Sequence, residues 1–331
     1  MGTCLALGLD QSVSEESAAT PRVMRASFGD FDEISDSIPD FDSEYVPLAQ
    51  GSVAMSSLRV ALDRLTLTRF DENNPAYAFH ATAPEGALTL ALAASLPTDA
   101  VWRGAPLAER TLLLYGPNGE HVAHSRGTLH CLTLHVAEGA LERHAERLGF
   151  DLAVAPGAVH ALEPPAEAIQ GLRHAAEQVL ATAQSADALL DVAEVRRTHE
   201  DALLTAAVHA IQPDFRRGEE SPTSQARAAS RAVAALEARA DETLYVADLC
   251  EAAGVSERTL RNAFQRTFGV SPIRYLQQHR MSRIRRLLLT AEPSRDRVST
   301  IAQRFGFTNL GRFAVEFRRL YGVSPSALLR R

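Results

Sequence analysis

The feature that most constrains this chain is a helical pattern written twice near its carboxy terminus. Val246, Leu249, Cys250, Gly254, Val255 and Ser256 align with Val298, Ile301, Ala302, Gly306, Phe307 and Thr308 at a constant offset of 52. Leu260, Phe264, Phe268, Gly269, Val270, Ser271 and Pro272 align with Phe313, Phe317, Tyr321, Gly322, Val323, Ser324 and Pro325 at an offset of 53, so the second copy carries one extra residue between Thr308 and Phe313. A repeat of this quality fixes the architecture of its region.

Each copy reads as helix, tight turn, helix. Gly254 ends a first helix where a left-handed residue is needed, and Ser256 caps the next, whose buried stripe is Leu260, Ala263, Phe264 and Phe268. A small residue in the first helix and a bulky apolar one in the second are what two steeply crossing helices require. The pattern predicts two helix-turn-helix units joined by a long helix over 273–289. That helix is expected to present Ile273, Leu276, Arg280, Ile284 and Leu287 on one side and Arg283, Arg285 and Arg286 on the other, toward a duplex backbone.

Charge divides the chain in the same place. From Arg227 onward there are 19 Arg against 9 Asp and Glu, whereas the remainder holds 15 Arg against 32 acids, and there is no Lys. A basic end on an acidic body is expected when one domain meets phosphate and the other does not. Three scattered cysteines, Cys4, Cys131 and Cys250, form neither a disulfide framework nor a zinc site, which fits a reducing cytoplasm. No apolar run reaches a membrane span, and Met1–Asp10 lacks the basic start of a signal peptide.

The fold class expected is α+β in two domains: an amino-terminal, mainly β barrel or sandwich with a helical pair, and an all-α carboxy-terminal domain. The boundaries read as a disordered tail over 1–22, a β-rich domain over 23–160, the helical pair over 161–212, a linker over 213–226 and the basic domain over 227–331. Strands are predicted at 58–62, 65–68, 87–94, 111–115, 121–124 and 129–136, with turns at Asn73-Asn74-Pro75, Pro84-Glu85-Gly86 and Gly116–Gly119. Amphipathic helices over 166–183 and 187–211 must bury their apolar faces on the β domain or on a second subunit, so a homodimer is one expectation.

Two helix-turn-helix units joined by one long helix, each ending Gly-Val-Ser-Pro, resemble the DNA-binding domain of AraC/XylS-type transcription regulators. The most specific stretch runs from Phe305 to Pro325, and the resemblance covers about 226–331. It implies bacterial, sequence-specific binding to double-stranded promoter DNA, usually activating and in contact with RNA polymerase, with both second helices in the major groove. The β domain is similar to the cupin-like sensor domains of that family, which implies an unidentified small-molecule effector.

Spacing nominates the contacts. With Leu260, Phe264 and Phe268 inward, the outward row of the first unit is Arg258, Arg261, Asn262 and Gln265, types that read guanine and adenine edges. In the second unit the outward row is Asn309, Leu310, Gly311, Ala314, Val315 and Arg318, of which Asn309 is the expected base reader. Thr259, Arg266, Arg312, Arg318 and Arg319 are expected on phosphates. The first unit should therefore read most of the sequence.

A second class stays open, a cupin enzyme or metal-binding module fused to a DNA-binding domain. His121, His124 and His130, with His135 nearby, could bind a metal, but the His-x-His pair and following Glu of metal cupins are absent. Cys131 lies mid-strand without a strand-to-helix elbow, which suits a buried small hydrophobe better than a nucleophile. No catalytic, metal or cofactor residue is assigned, and the effector-binding residues are left unassigned.

Overall fold

The computed structural model describes residues 21–37, 42–95, 100–103, 105–215, 224–239 and 242–330. The tail expected over 1–22 lies outside these residues except for 21 and 22, and so does the stretch 216–223 of the expected linker. The two ends of that linker are helical, which corrects its boundaries to either side.

The amino-terminal domain is one antiparallel sheet. Its strands are β1 (Val23–Phe28), β2 (Asp42–Pro47), β3 (Met55–Ala61), β4 (Leu65–Thr82), β5 (Ala87–Ser95), β6 (Val101–Trp102), β7 (Ala105–Pro106), β8 (Leu112–Tyr115), β9 (Glu120–Ala137) and β10 (Val159–Leu162). Two helices interrupt them, α1 (Phe31–Ser37) and α2 (Ala140–Arg147). The strand order is β1-β3-β4-β9-β5-β8-β10, with β2 also on β4 and β6 on β7 and β9.

The 18-residue strands β4 and β9 organise this sheet, and both correct the sequence reading. They pair from Leu65↔Val136 to Thr82↔Glu120, with one irregularity between Asn74 and Tyr77. The turn expected at Asn73-Asn74-Pro75 is therefore a bulge inside a continuous strand. Proline has no N–H to give to a ladder, and a bulge is where none is needed. Asn74 is buried, its Oδ1 accepting from the Ala54 amide at 3.0 Å and its Nδ2 donating to Glu72 Oε2 at 3.1 Å. Opposite it, Gly127 has φ +82°, which glycine alone adopts without strain, so the strands bend together. The two strands expected at 121–124 and 129–136 are the halves of β9.

Alternation gives the sheet two apolar faces. Leu65, Leu67, Leu88, Leu90, Leu132 and Leu134 belong to one core with α3 (Ala166–Ser185) and α4 (Ala193–Phe215), through Leu172, Val179, Leu203, Leu204 and Val208. The stretch expected as one helix from 187 begins as a 3-10 turn, Asp187–Asp191, and the extended Val192 separates it from α4. The helical pair thus buries its stripe on its own chain, which removes the reason for expecting a dimer there.

The carboxy-terminal domain contains α5 (Ser224–Ala238), α6 (Val246–Ala253), α7 (Glu257–Phe268), α8 (Pro272–Thr290), α9 (Val298–Arg304), α10 (Leu310–Tyr321) and α11 (Pro325–Leu328). Leu249, Leu260, Phe264 and Phe268 close the first unit against Val233 and Leu236 of α5, while Phe305, Phe313, Phe317 and Leu328 close the second. The connecting helix α8 serves both, giving Tyr275 and Leu276 to the first core and Met281, Ile284 and Leu288 to the second. Ile273 and Leu287, expected inward, are instead exposed at 60% and 38%.

The domains share an interface. The first unit's core runs on into Val46, Leu48, Ala78 and Val122 of the sheet. Gln278 Nε2 and Arg274 Nη2 donate to the Leu48 carbonyl at 3.0 and 3.2 Å, and His279 Nε2 lies 3.2 Å from Glu44. Burial pushes the Glu44 carboxyl up, but the adjacent His279, with Arg286 and Arg283 beyond it, wins and holds it at about 2. His80 lies 2.5 Å from Glu237 of α5; burial opposes its charge, yet the carboxylate raises its pKa overall.

This interface overturns one expectation about α8. Arg285 is bonded to Asp30 and Asp32, and Arg286 Nε donates to Asp32 at 2.9 Å, so these two arginines meet carboxylates of the amino-terminal domain and not a duplex. A guanidinium loses less on desolvation than an ammonium and forks onto two acids, which suits it to such a place. Burial raises the Asp32 pKa more than Arg285 and Arg286 lower it, so these pairs set the relative placement of the domains more than they add stability.

Candidate nucleic-acid interface and ligand cavity

The second helices of both units are capped and open to solvent. At α7, Ser256 Oγ accepts from the Thr259 amide at 3.3 Å, and the helix ends at Gly269 with φ +69°. Arg258, Arg261, Asn262, Gln265 and Arg266 are all exposed on it. Arg261 Nη2 donates to Glu257 at 3.0 Å, with both side chains more than half exposed. A surface pair of this kind is worth at most about 1 kcal/mol, so it yields readily to a guanine edge. Gln265 Nε2 donates to the Gly269 carbonyl at 3.0 Å, so reading a base requires it to leave the end of its own helix. Thr259 is half-buried, its hydroxyl 3.0 Å from Ser256 Oγ.

The second unit is built differently. Its cap is Asn309, whose Oδ1 accepts from the Arg312 amide at 3.0 Å, and not Thr308, which sequence alignment sets against Ser256. The extra residue therefore lengthens the turn: one residue separates Gly254 from Ser256, and two separate Gly306 from Asn309. Arg312 Nε donates to Glu316 at 2.8 Å, and Gln277 of α8 donates to the same carboxylate. Leu310 packs into the second core, whereas Val315 stands 69% exposed and Arg318 and Arg319 are exposed beside it. Of the polar residues nominated on α10, Asn309 caps the helix through Oδ1 and Arg312 pairs with Glu316 at the surface, while Arg318 and Arg319 are exposed beyond them.

The face of the sheet away from α3 and α4 lines a cavity of about 160 Å³. Tyr45, Phe70, Glu72, Tyr77, Phe79, Tyr115, His121 and Cys131 lie on its walls. Burial, with His80 and Arg103 nearby, pushes the His121 imidazole down to about 3, so it is neutral. Burial, with the Glu72 carboxylate, pushes the Cys131 thiol up to about 12, which makes it a poor nucleophile at neutral pH. The four histidines of the metal alternative disperse: His121 bonds to Tyr115, His130 to Asp71 and His135 to Thr89, while His124 lies 3.8 Å from the position of a Cβ on Gly269. Among the described residues no group of three metal-binding side chains forms, and no helix is long and apolar enough to cross a membrane.

Sequence reasoning missed the cavity residues and the interdomain pairs. One signal was available for the cavity: Thr68, Phe70 and Glu72 alternate along one face of a strand that opens with Leu65 and Leu67 on the other. Reading Asn73-Asn74-Pro75 as a turn cut that strand and hid it.

Comparison with known proteins matches residues 249–331 to a family described as a helix-turn-helix domain. The probable thc operon regulatory protein of Rhodococcus erythropolis is 40% identical over 131 residues, 39% of this chain and 40% of that protein. The XylDLEGF operon transcriptional activator of Pseudomonas putida is 32% identical over 100 residues, 30% of this chain and 31% of its own length. The match thus spans less than half the length of either of these two relatives. Among solved structures, the AraC-like transcriptional activator CuxR aligns over 78% of this chain and 94% of its own, at 13% identity and a TM-score of 0.42. A probable AraC family regulator from Rhodopseudomonas palustris aligns over 31% of this chain and 95% of its own, at 32% identity and a TM-score of 0.29.

Proposed function

From the AraC-type helix-turn-helix domain at its carboxy terminus, we propose that the chain is a sequence-specific transcription regulator. It binds double-stranded promoter DNA and responds to a small molecule held by its amino-terminal domain. One observation carries the reading: a single basic domain exposes two separately capped second helices, α7 with Arg258, Arg261 and Asn262, and α10 with Arg318 and Arg319. The first unit reads base edges, and the second positions the protein on phosphates and touches thymine methyl groups through Val315. Activation is carried over from the Pseudomonas relative, an operon transcriptional activator, and brings RNA polymerase with it as partner.

The cavity supports the regulatory half. Strand β2 lies between it and the DNA-binding domain, with Tyr45 on the cavity wall while Glu44 meets His279 and the Leu48 carbonyl meets Gln278 just beyond. A ligand that moves β2 acts on α8, the helix shared by both units, at one remove.

Footprinting the DNA upstream of the chain's own gene, followed by titration of the protected fragment, tests the proposal. A discrete footprint whose affinity changes with a cavity ligand is expected. Uniform, salt-sensitive coating of all DNA, indifferent to sequence, would refute it.

A further inference from the structure

We propose that the cavity selects a small organic cation, an amine on an aromatic or aliphatic body, whose ammonium group is held by Glu72. This deepens the effector reading above and rests on it. Glu72 projects from β4 into the cavity and is 7% exposed. Both of its hydrogen bonds fall on Oε2, from Asn74 Nδ2 at 3.1 Å and from the Tyr77 hydroxyl at 2.6 Å. Among the described residues nothing donates to Oε1, and Glu72 has no ion-pair partner. A buried carboxylate without a counter-charge is costly, and burial raises the pKa of this one despite its two donors. An ammonium group placed at Oε1 would supply both the missing donor and the missing charge.

The remaining walls fit such a ligand and disfavour an acid. Among the described residues that line the cavity Arg59 is the only Arg or Lys, and it already has a partner. It pairs with Thr68 where Glu72 pairs with Met55, four residues away on β3, or about 13 Å along the strand. The rings of Tyr45, Phe70, Tyr77 and Phe79 border the carboxylate's end of the cavity, with Tyr45 packed 5.5 Å from Tyr77 and 4.6 Å from Phe79. Aromatic faces attract a cation, and a desolvated site strengthens that attraction. The size is right for one ring, since an apolar cavity of about 150 Å³ accepts benzene.

Matched ligands that differ only in charge test this on the full chain: benzylamine, benzyl alcohol and benzoate, with hexylamine, 1-hexanol and hexanoate as a second series. Calorimetry and melting temperature are read at neutral pH, together with binding to the footprinted fragment. In at least one series the amine should bind tenfold or more tighter than the alcohol, with no binding of the acid. Glu72→Gln should erase the difference between amine and alcohol. Its amide oxygen can still accept from Tyr77, and its ligand-free melting temperature reports whether it folds. Amine affinity should also fall as pH drops through the raised Glu72 range, because the carboxylate takes up a proton.

Tighter binding of an acid or an alcohol, no binding in either series, or an amine preference that survives Glu72→Gln would overturn the proposal. If that variant fails to fold, the pH titration of the wild type decides instead: loss of the amine preference at low pH supports the proposal, and its persistence overturns it. The two readings fail separately. An amine that binds without altering DNA affinity leaves the cavity assignment standing and removes the effector reading, whereas an alcohol or acid that binds best and alters DNA affinity does the reverse.

Discussion

Arg285→Gln separates the two places where an α8 arginine could act, on DNA phosphate or on the amino-terminal domain. The Arg285 side chain is 12% exposed, bonded to Asp30 and Asp32, and lies 5.4 Å from the Tyr321 ring centre. Removing one partner of a buried pair costs about 3–5 kcal/mol when the other charge is stranded. Here the cost is lower, because Asp30 is 31% exposed and regains water while Asp32 keeps Arg286. A loss of about 2–3 kcal/mol is expected, which is several degrees in melting temperature. In a double-mutant cycle with Asp32→Asn, the two losses should fall short of additivity by about 1 kcal/mol or more, because both remove one contact. The decisive readout is the salt dependence of DNA binding. Each phosphate contact adds about 0.9 to the slope of log K against log salt, and the variant should leave that slope unchanged. A slope reduced by about one, with stability intact, would refute the structural assignment and restore Arg285 to the DNA backbone.

Three further outcomes are expected. Arg261→Ala should relax preference at one base pair by about 1–3 kcal/mol, whereas Arg318→Ala should weaken every site alike; a binding-site selection on each variant distinguishes them, and the reverse pattern would sink the division of labour between α7 and α10. Asn309→Ala should cost about 1 kcal/mol of stability through the lost cap while leaving base preference unchanged, as measured by urea unfolding beside the same selection. Glu44, held at about 2 against an ordinary 4.5, contributes stability that is full above about pH 5 and is lost as pH falls toward 2; the stability difference between the wild type and Glu44→Gln should shrink over that window, and a constant difference would contradict the pairing with His279.

What could be read from the chain alone was what depends on neighbours in sequence. The doubled unit is legible because caps, left-handed glycines and the helical stripe all act within about a dozen residues, and Ser256, Gly254 and Phe264 behave as their spacing predicts. Exposure of Arg258, Arg261 and Asn262 followed from the same periodicity. The change of offset from 52 to 53 reveals the second unit's extra residue, but only the structure shows that the cap moves with it, from the position aligned with Ser256 to Asn309. Asn309, nominated to read a base, gives its Oδ1 to the cap of its own helix.

Everything that joins distant parts of the chain waited for the tertiary structure. Arg285 reads locally as part of a basic face toward a duplex backbone; only folding sets it against Asp30 and Asp32, more than 250 residues away. The stripe of α3 and α4 was plain in the sequence, but whether a sheet or a second subunit would cover it was not, since either buries the same leucines. Glu72 became a candidate ligand group only when the bulge at Asn74 was seen to continue its strand. The sequence by itself determined the repeat, its helices and a basic recognition face, because each is a local balance of backbone geometry and side-chain periodicity. Tertiary structure alone decided which charges pair and what the cavity presents, because both depend on which surfaces lose their water together.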